Sequence, residues 1–204
     1  MKRTLTALLL ALLCITPRLF GQSFFPGIVL LTGGVEFGGA AVALDDPSPT
    51  AINSGVAMFR NLPMALEVGI AERMGIGIQY RIDKYLNHTD SVRAKGNDYN
   101  LMFNYHFVVT HQTNSFIGFR TGLSDFSFEK SRTGETFEKK GGNLQLVAGV
   151  NMMFRHRLGL QLTFGANSFL YPNGKLVNPL SPTPIPYGVT IVGIDLGMGL
   201  LFVL

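Results

Sequence analysis

A two-residue alternation of apolar and mixed side chains recurs along the chain from residue 63 to the last residue. In the segment 143–154 the even positions are Leu144, Leu146, Ala148, Val150, Met152 and Phe154. The odd positions are Asn143, Gln145, Val147, Gly149, Asn151 and Met153. Successive side chains of a β-strand point to opposite faces, so one face of this segment is apolar and the other is mixed. The pattern predicts antiparallel strands throughout the chain.

The alternation predicts eight strands, at 28–44, 63–71, 75–83, 98–109, 115–128, 143–154, 158–169 and 188–204. Ten strands are the alternative, if the segment 51–59 also pairs. The phase of the fifth strand slips near Ser124 and Asp125, which predicts either a bulge there or a strand that leaves the bilayer. The connections alternate between short ones, at 72–74, 110–114 and 155–157, and long ones, at 45–62, 84–97, 129–142 and 170–187. We expect the five prolines of 170–187 to prevent regular pairing.

The first 21 residues have the composition of a secretory signal peptide: two basic residues, an apolar run at 5–15, and Gly21 at the expected cleavage site. Residues 22–204 then form one barrel domain. Loss of Lys2, Arg3 and Arg18 lowers the number of basic residues from 17 to 14, against 13 acidic ones. The mature chain is therefore nearly neutral, which argues against nucleic-acid binding. The only cysteine, Cys14, leaves with the leader, so disulfides and a thiol nucleophile are excluded.

The predicted strands favour an all-β, up-and-down antiparallel barrel whose outer face meets lipid. Their apolar faces carry no charged residue within the strand cores, where a Lys or Arg at the bilayer midplane would cost about 2–4 kcal/mol. The charged residues of these cores all fall on the inner face: Glu36, Glu67, Arg81, Arg120 and Asp195. Aromatic residues near the strand ends predict two interfacial girdles: Tyr99, Phe107, Phe154, Phe169, Tyr171, Tyr187 and Phe202.

The leader, the alternating connections and the final strand from Gly188 to Leu204 resemble the small OmpA/OmpX-type, porin-like outer-membrane barrels of Gram-negative bacteria. The resemblance implies an integral protein of the outer membrane with both termini in the periplasm. It also implies that the insertion machinery reads the final strand, which here ends in Leu204 with Phe202 two residues earlier. No periplasmic peptidoglycan-binding domain fits within the chain.

The five inward charged residues are the candidate site. A barrel of about eight strands is just wide enough for its own side chains, so they predict an ion-pair network that fills the lumen. A small polar pore gated by these pairs is the alternative. Inward glycines, among them Gly75, Gly118 and Gly165, either leave a channel or make room for large side chains such as Arg81 and Met102.

We expect no enzymatic activity, no cofactor and no metal site. His106 points inward beside Asn104, and the pattern favours a packed lumen group over a proton relay or metal ligand. Ser115, Ser124 and Ser127 have no identifiable His partner that would suggest a hydrolase.

The long connections are the remaining candidates for function. Their cationic residues could hold lipopolysaccharide phosphates: Arg93, Lys95, Lys130, Arg132, Lys139 and Lys140. The favoured function is a non-enzymatic outer-membrane protein that acts in envelope integrity or in interaction with a surface partner. A channel for small solutes or hydrophobic compounds is the alternative.

Overall fold

The computed structural model describes residues 24–45, 54–86, 92–110, 112–130, 134–155, 157–179 and 181–204. The strands are β1 (Val29–Asp45), β2 (Ser54–Ala71), β3 (Met74–Leu86), β4 (Val92–Val109), β5 (Thr113–Lys130), β6 (Thr136–Arg155), β7 (Leu158–Asn178) and β8 (Ser181–Val203). They form a closed barrel in chain order, in which β1 pairs with both β2 and β8. The predicted fold class is therefore confirmed. The predicted leader, 1–21, lies outside the described residues.

The barrel has two unlike ends. Chain connections at Glu72–Arg73 and around Gln112 and Arg157 lie at the same end as Leu204 and the first described residues before β1, which we call the termini end. There, the backbone N–H of Leu204 donates to the carbonyl of Val29. The opposite end, where the strands continue furthest, is called the far end.

Alternation along each strand sorts the side chains as the sequence predicts. On β6, Asn143 and Gln145 are buried in the lumen, whereas Leu144 and Leu146 are 50% and 58% exposed on the outside. The outer faces of all eight strands carry exposed residues of this kind, and together they form an apolar belt around the barrel. Among the described residues, no helix is long and apolar enough to cross a membrane.

The strands extend beyond the predicted ones at the far end. The segment 54–59, assigned to a connection or to extra strands, is the start of β2 and pairs with β1, so the ten-strand alternative is wrong. The long connection predicted at 170–187 is mostly a β7–β8 hairpin, with Lys175 opposite Pro186 and Asn178 opposite Ser181. Pro182, Pro184 and Pro186 stand at alternate positions, so their missing N–H groups face one side. Between Gly188 and the tip of the hairpin, β8 pairs only with β7 among the described strands. The other edge of β8 therefore carries no ladder hydrogen bonds there, and prolines without an N–H group are tolerated on it.

Of the two interpretations of the phase slip in β5, the bulge is wrong. Pairing of β5 with β4 and β6 runs through Ser124 and Asp125 without a register shift. The inner face simply changes from polar to apolar, because Phe126 and Phe128 point into the lumen and are 6% and 8% exposed.

Apolar clusters occupy both ends of the lumen. The far-end cluster is formed by Ala40, Ala57, Phe59, Tyr85, Phe126, Phe128, Phe137, Phe169, Tyr171, Leu176, Val189 and Ile191. The termini-end plug is formed by Phe24, Ile28, Leu30 and Leu201. Four predicted girdle residues are exposed, namely Tyr99, Phe107, Phe154 and Phe202. Phe169 and Tyr171 are instead buried in the far-end cluster, and the side chain of Tyr187 lies outside the description.

Candidate functional site

Arg81 on β3 is the centre of the charged lumen. Its guanidinium lies 2.8 Å from Asp98 Oδ2, 2.9 Å from Asp83 Oδ1 and 3.6 Å from Glu36 Oε2. All four side chains are nearly inaccessible to solvent. On its other side the guanidinium carbon lies 5.2 Å from the ring centroid of Phe169, where the far-end cluster begins. A buried cation held by several carboxylates and a ring face is fixed in one orientation.

Arg120 on β5 is buried but less completely paired. Its Nη1 lies 3.8 Å from Glu36 Oε1, and neither Nε nor Nη1 has a hydrogen-bond partner among the described residues. Gln145 stands directly opposite Arg120 on β6, and both polar atoms of its amide also lack a partner there. The middle of the lumen therefore holds polar groups with unused hydrogen-bonding capacity.

Glu67 and His106 form a second polar group nearer the termini end. The carboxylate of Glu67 lies 2.9 Å from His106 Nε2 through Oε1 and accepts from Asn104 Nδ2 at 2.8 Å through Oε2. His106 Nδ1 lies 3.0 Å from Asn114 Oδ1. Phe24 covers the imidazole, which is fully buried. These contacts make His106 a packed lumen group.

Asp195 on β8 is linked to Arg81 through Asn167. Asn167 Nδ2 donates to Asp195 Oδ2, and Arg81 Nη1 donates to Asn167 Oδ1 at 3.5 Å. Of the five charged residues singled out from the sequence, Arg81 and Arg120 thus meet at Glu36. Glu67 and Asp195 take His106 and Asn167 as their partners.

Sequence reasoning missed three members of the lumen. Asp83 and Asp98 lie at the ends of the predicted third and fourth strands. Their positions in the two-residue alternation direct both side chains into the barrel, and this is the sequence signal that could have identified them. Phe24 precedes β1 in a segment without alternation, so no periodicity marks it.

The inward glycines make room for side chains of neighbouring strands. A Cβ at Gly75 would overlap the carboxylate of Glu67, and one at Gly118 would overlap the amide of Asn104. A Cβ at Gly165 would lie 2.5 Å from Asp195 Oδ1. At these three glycines the space is taken by Glu67, Asn104 and Asp195 and not by Arg81 or Met102, so they leave no channel. Gly159 makes room for Met153, whose Sδ would lie 2.8 Å from an added Cβ.

The described residues form a closed lumen. A cavity of about 20 Å³ lies between Glu36, Gln79, Arg120, Gln161 and Thr163, which is the size of about one water molecule. The far-end cluster and the termini-end plug lie above and below the polar layer. No open path for a solute is seen among the described residues.

The described residues show no hydrolytic or metal centre. The hydroxyl of Ser124 lies 2.7 Å from that of Tyr171, inside the lumen and not beside a histidine. No group of three or more His, Cys, Asp or Glu side chains in the described ranges is arranged to hold a metal ion.

The cationic residues predicted for the far end lie mostly on strands. Arg93, Lys95 and Lys140 are exposed, and Lys139 is half-buried. The Nζ of Lys140 lies 3.6 Å from Asp125 Oδ1. The side chain of Lys130 and all of Arg132 lie outside the description.

No protein-family model and no curated protein sequence matches the chain. The fold is similar to that of the outer membrane protein OprG from Pseudomonas aeruginosa, with a TM-score of 0.56 and 11% identity over 88% of this chain and 97% of OprG. The outer membrane protein AlkL, solved by solid-state NMR in DMPC bilayers, gives a TM-score of 0.55 and 12% identity over 89% of this chain and 92% of AlkL.

The outer membrane protease OmpT from Escherichia coli gives a TM-score of 0.50 and 8% identity, covering 89% of this chain and 98% of OmpT. At sequence identities this low, the similarity to these three proteins concerns the fold alone. The resemblance inferred from the sequence is confirmed at that level.

Proposed function

We propose that this chain, which has the fold of the small outer-membrane β-barrels, is an integral outer-membrane protein with a closed lumen. It acts without catalysis, in envelope integrity or in binding a surface partner through the strands of its far end. In this proposal both termini lie in the periplasm, and the insertion machinery recognises the final strand, Gly188–Leu204.

The apolar belt supports the location in a membrane. Outward side chains such as Leu101, Leu123 and Leu196 are 67%, 69% and 66% exposed. A belt of this kind around a whole protein is stable in lipid and unfavourable in water. Because the barrel is closed, every strand has a neighbour on both sides at the level of the belt, as a lipid environment requires.

The closed lumen is the observation that carries the proposal for function. Arg81 with its three carboxylates and the Glu67–His106 pair lie between the two apolar clusters, and the described residues leave no open path past them. A protein that conducts polar solutes through its lumen would need a continuous polar path, and here the described residues at both entrances are apolar.

Planar-bilayer recording of the folded protein tests this proposal. We expect no current steps from protein whose fold is verified by a heat-modifiable gel shift. Stable single-channel conductance from such protein would refute the closed lumen.

Binding of a surface partner is tested by altering the β7–β8 hairpin, which extends to Asn178 and Ser181. Deletion of residues 178–182, with the ends joined by two glycines, removes only the tip of the hairpin, beyond the last pair of β6 with β7 at Thr136 and Val177. We expect this deletion to spare folding and to abolish adhesion of cells that carry the protein. Loss of the gel shift in the deletion protein would contradict the independence of the hairpin.

A channel is the second candidate, and Arg120 favours it. An arginine with two unpartnered nitrogen atoms, opposite an unpartnered Gln145, marks the least satisfied layer of the lumen. A channel formed by movement of the two apolar clusters would pass solutes at this layer. Conductance or uptake that changes in Arg120→Ala would support the channel over the closed barrel.

A catalytic role has little support. The described hydroxyls and the buried His106 form no accessible nucleophile–base pair. Absence of peptide cleavage and an unchanged lipid A profile after overexpression are the expected results.

A further inference from the structure

Three cations of neighbouring strands lie side by side on the outer surface of the barrel. Arg60 on β2 is directly opposite Lys84 on β3, and Lys84 is directly opposite Lys95 on β4. All three side chains are exposed, and the residues before and after each of them face the lumen. We call this set the cationic row.

The described carboxylates do not balance the cationic row. Among the described residues, no carboxylate forms an ion pair with any of its three members. The nearby Asp125 is paired with Lys140 on the other side of β5, at 3.6 Å. Like charges directly opposite each other on a sheet repel and destabilise it. Within the described part of the barrel the row is therefore a site of repulsion, which an anionic partner at the outer surface would relieve.

The row borders the apolar belt. On β2, Arg60 stands between the outward side chains of Met58 and Leu62, which are 59% and 40% exposed. Ile82 lies two residues from Lys84, a separation of about 7 Å along a strand. Two residues further toward the termini end, the outward rings of Tyr80 on β3 and Tyr99 on β4 form a pair, with centroids 5.2 Å apart. Tyrosines of this kind are typical of the membrane–water interface.

Position and charge together identify the kind of partner. A cation between exposed apolar side chains at the edge of the belt is at the depth of lipid headgroups, where long basic side chains extend toward the interface. Guanidinium and ammonium groups bind phosphate oxygens through charge-assisted hydrogen bonds. Three adjacent cations are best neutralised by a headgroup with two or more negative charges.

We propose that Arg60, Lys84 and Lys95 form a binding site for the phosphorylated headgroup of a lipid in the membrane leaflet at the far end. The acyl chains of this lipid would lie along Leu62, Ile82 and the tyrosine pair. This site depends on the membrane location proposed above, and it assigns the lipid-binding role to strand residues rather than to loop bases.

The test compares two variants that lose the same charge. Lys84→Gln/Lys95→Gln removes two members of the row, and Lys139→Gln/Lys140→Gln removes two lysines of β6 across Asp125. Each protein, folded in dodecyl maltoside and verified by the gel shift, is titrated with diphosphoryl lipid A, and bound lipid is counted by native mass spectrometry. Inorganic pyrophosphate is the competitor without acyl chains.

We expect Lys84→Gln/Lys95→Gln to bind lipid A about thirtyfold more weakly, as for the loss of two lysines at an anionic lipid surface. The Lys139→Gln/Lys140→Gln control should retain affinity within about twofold, and Lys84→Arg/Lys95→Arg should keep it because the charge remains. Pyrophosphate should compete only weakly. Heat resistance of Lys84→Gln/Lys95→Gln without lipid should be equal or higher, since repulsion within the row is relieved.

Equal losses in the two glutamine variants would show general attraction to the surface and would overturn the site. Loss in the β6 variant alone would place the lipid beside Lys139 and Lys140 and would also overturn the site. A protein that never inserts into bilayers would refute the proposed location, whereas normal insertion with unchanged lipid binding would refute the cationic row alone.

Discussion

The ring of Phe24 stacks on the imidazole of His106, with centroids 3.6 Å apart and planes inclined by 19°. The contact joins the segment before β1 to the lumen face of β4 and seals the termini end of the barrel. It also shields the Glu67–His106 pair from solvent, since Phe24 and His106 are both fully buried.

Replacement of Phe24 by alanine should destabilise the barrel. Loss of a buried phenylalanine removes its transfer free energy and leaves a cavity, at a cost of about 3–5 kcal/mol. Urea unfolding of protein in detergent, followed by the gel shift, measures the effect. Phe25→Ala is the control, because Phe25 is only partly buried, and an equal loss there would contradict the role of the stack.

The Glu67–His106 contact should show energetic coupling. His106→Ala leaves a buried carboxylate with Asn104 as its remaining donor, and an unsatisfied buried group costs about 1–3 kcal/mol. A double-mutant cycle with Glu67→Gln measures the interaction, and we expect the second substitution to cost less once the first is made. Additive losses would show that the two side chains are not coupled.

Arg81→Met should be among the most damaging substitutions in the lumen. It leaves the carboxylates of Glu36, Asp83 and Asp98 without their shared cation, and breaking a buried pair costs about 3–5 kcal/mol. Lys140→Met breaks an exposed pair with Asp125 and should cost less than about 1 kcal/mol. Thermal midpoints of the gel shift for the two proteins give the comparison, and similar midpoints would contradict a structural role for Arg81.

Gly149→Ala should destabilise the barrel by overpacking. The added Cβ would lie 2.5 Å from Cζ of Phe116 and 2.8 Å from the carbonyl oxygen of Leu162, and such crowding typically costs about 1–3 kcal/mol. At Gly142, seven residues earlier on the same strand, the nearest atom is 3.9 Å away. Gly142→Ala should therefore be neutral, and unfolding midpoints that do not separate the two variants would contradict this packing.

Alternation along the strands was sufficient to predict the barrel and the inward direction of residues such as Glu36 and Arg120. The rule that apolar residues face lipid fails beyond the membrane level, where the lumen of this barrel is itself apolar. For that reason the inward Phe126 gives an apparent phase slip in the sequence of β5, and Tyr171 has the pattern of a girdle residue. The sequence pattern does not identify Arg60 as a strand residue, because the alternation that predicts its strand begins only at Pro63.

The partners within the lumen depend on register, which no single-strand pattern contains. Arg81 faces Asp98 across β3 and β4, but it also reaches Glu36 on β1, two strands away. Phe24 illustrates a different limit, since an irregular segment is positioned by the shape of the cavity it fills and not by its own periodicity.

Pairing of β1 with β8 joins the first and last strands of the chain. Until residues 181–203 arrive, the backbone of β1 has one unpaired edge, and lipid offers no groups that could satisfy it. A chain that is still emerging, or one cut short near its C-terminus, therefore has no stable halfway stage within the bilayer. Formation of the β1–β8 pairing therefore makes assembly all-or-none, and cells would accumulate either complete barrels or unassembled chains awaiting degradation.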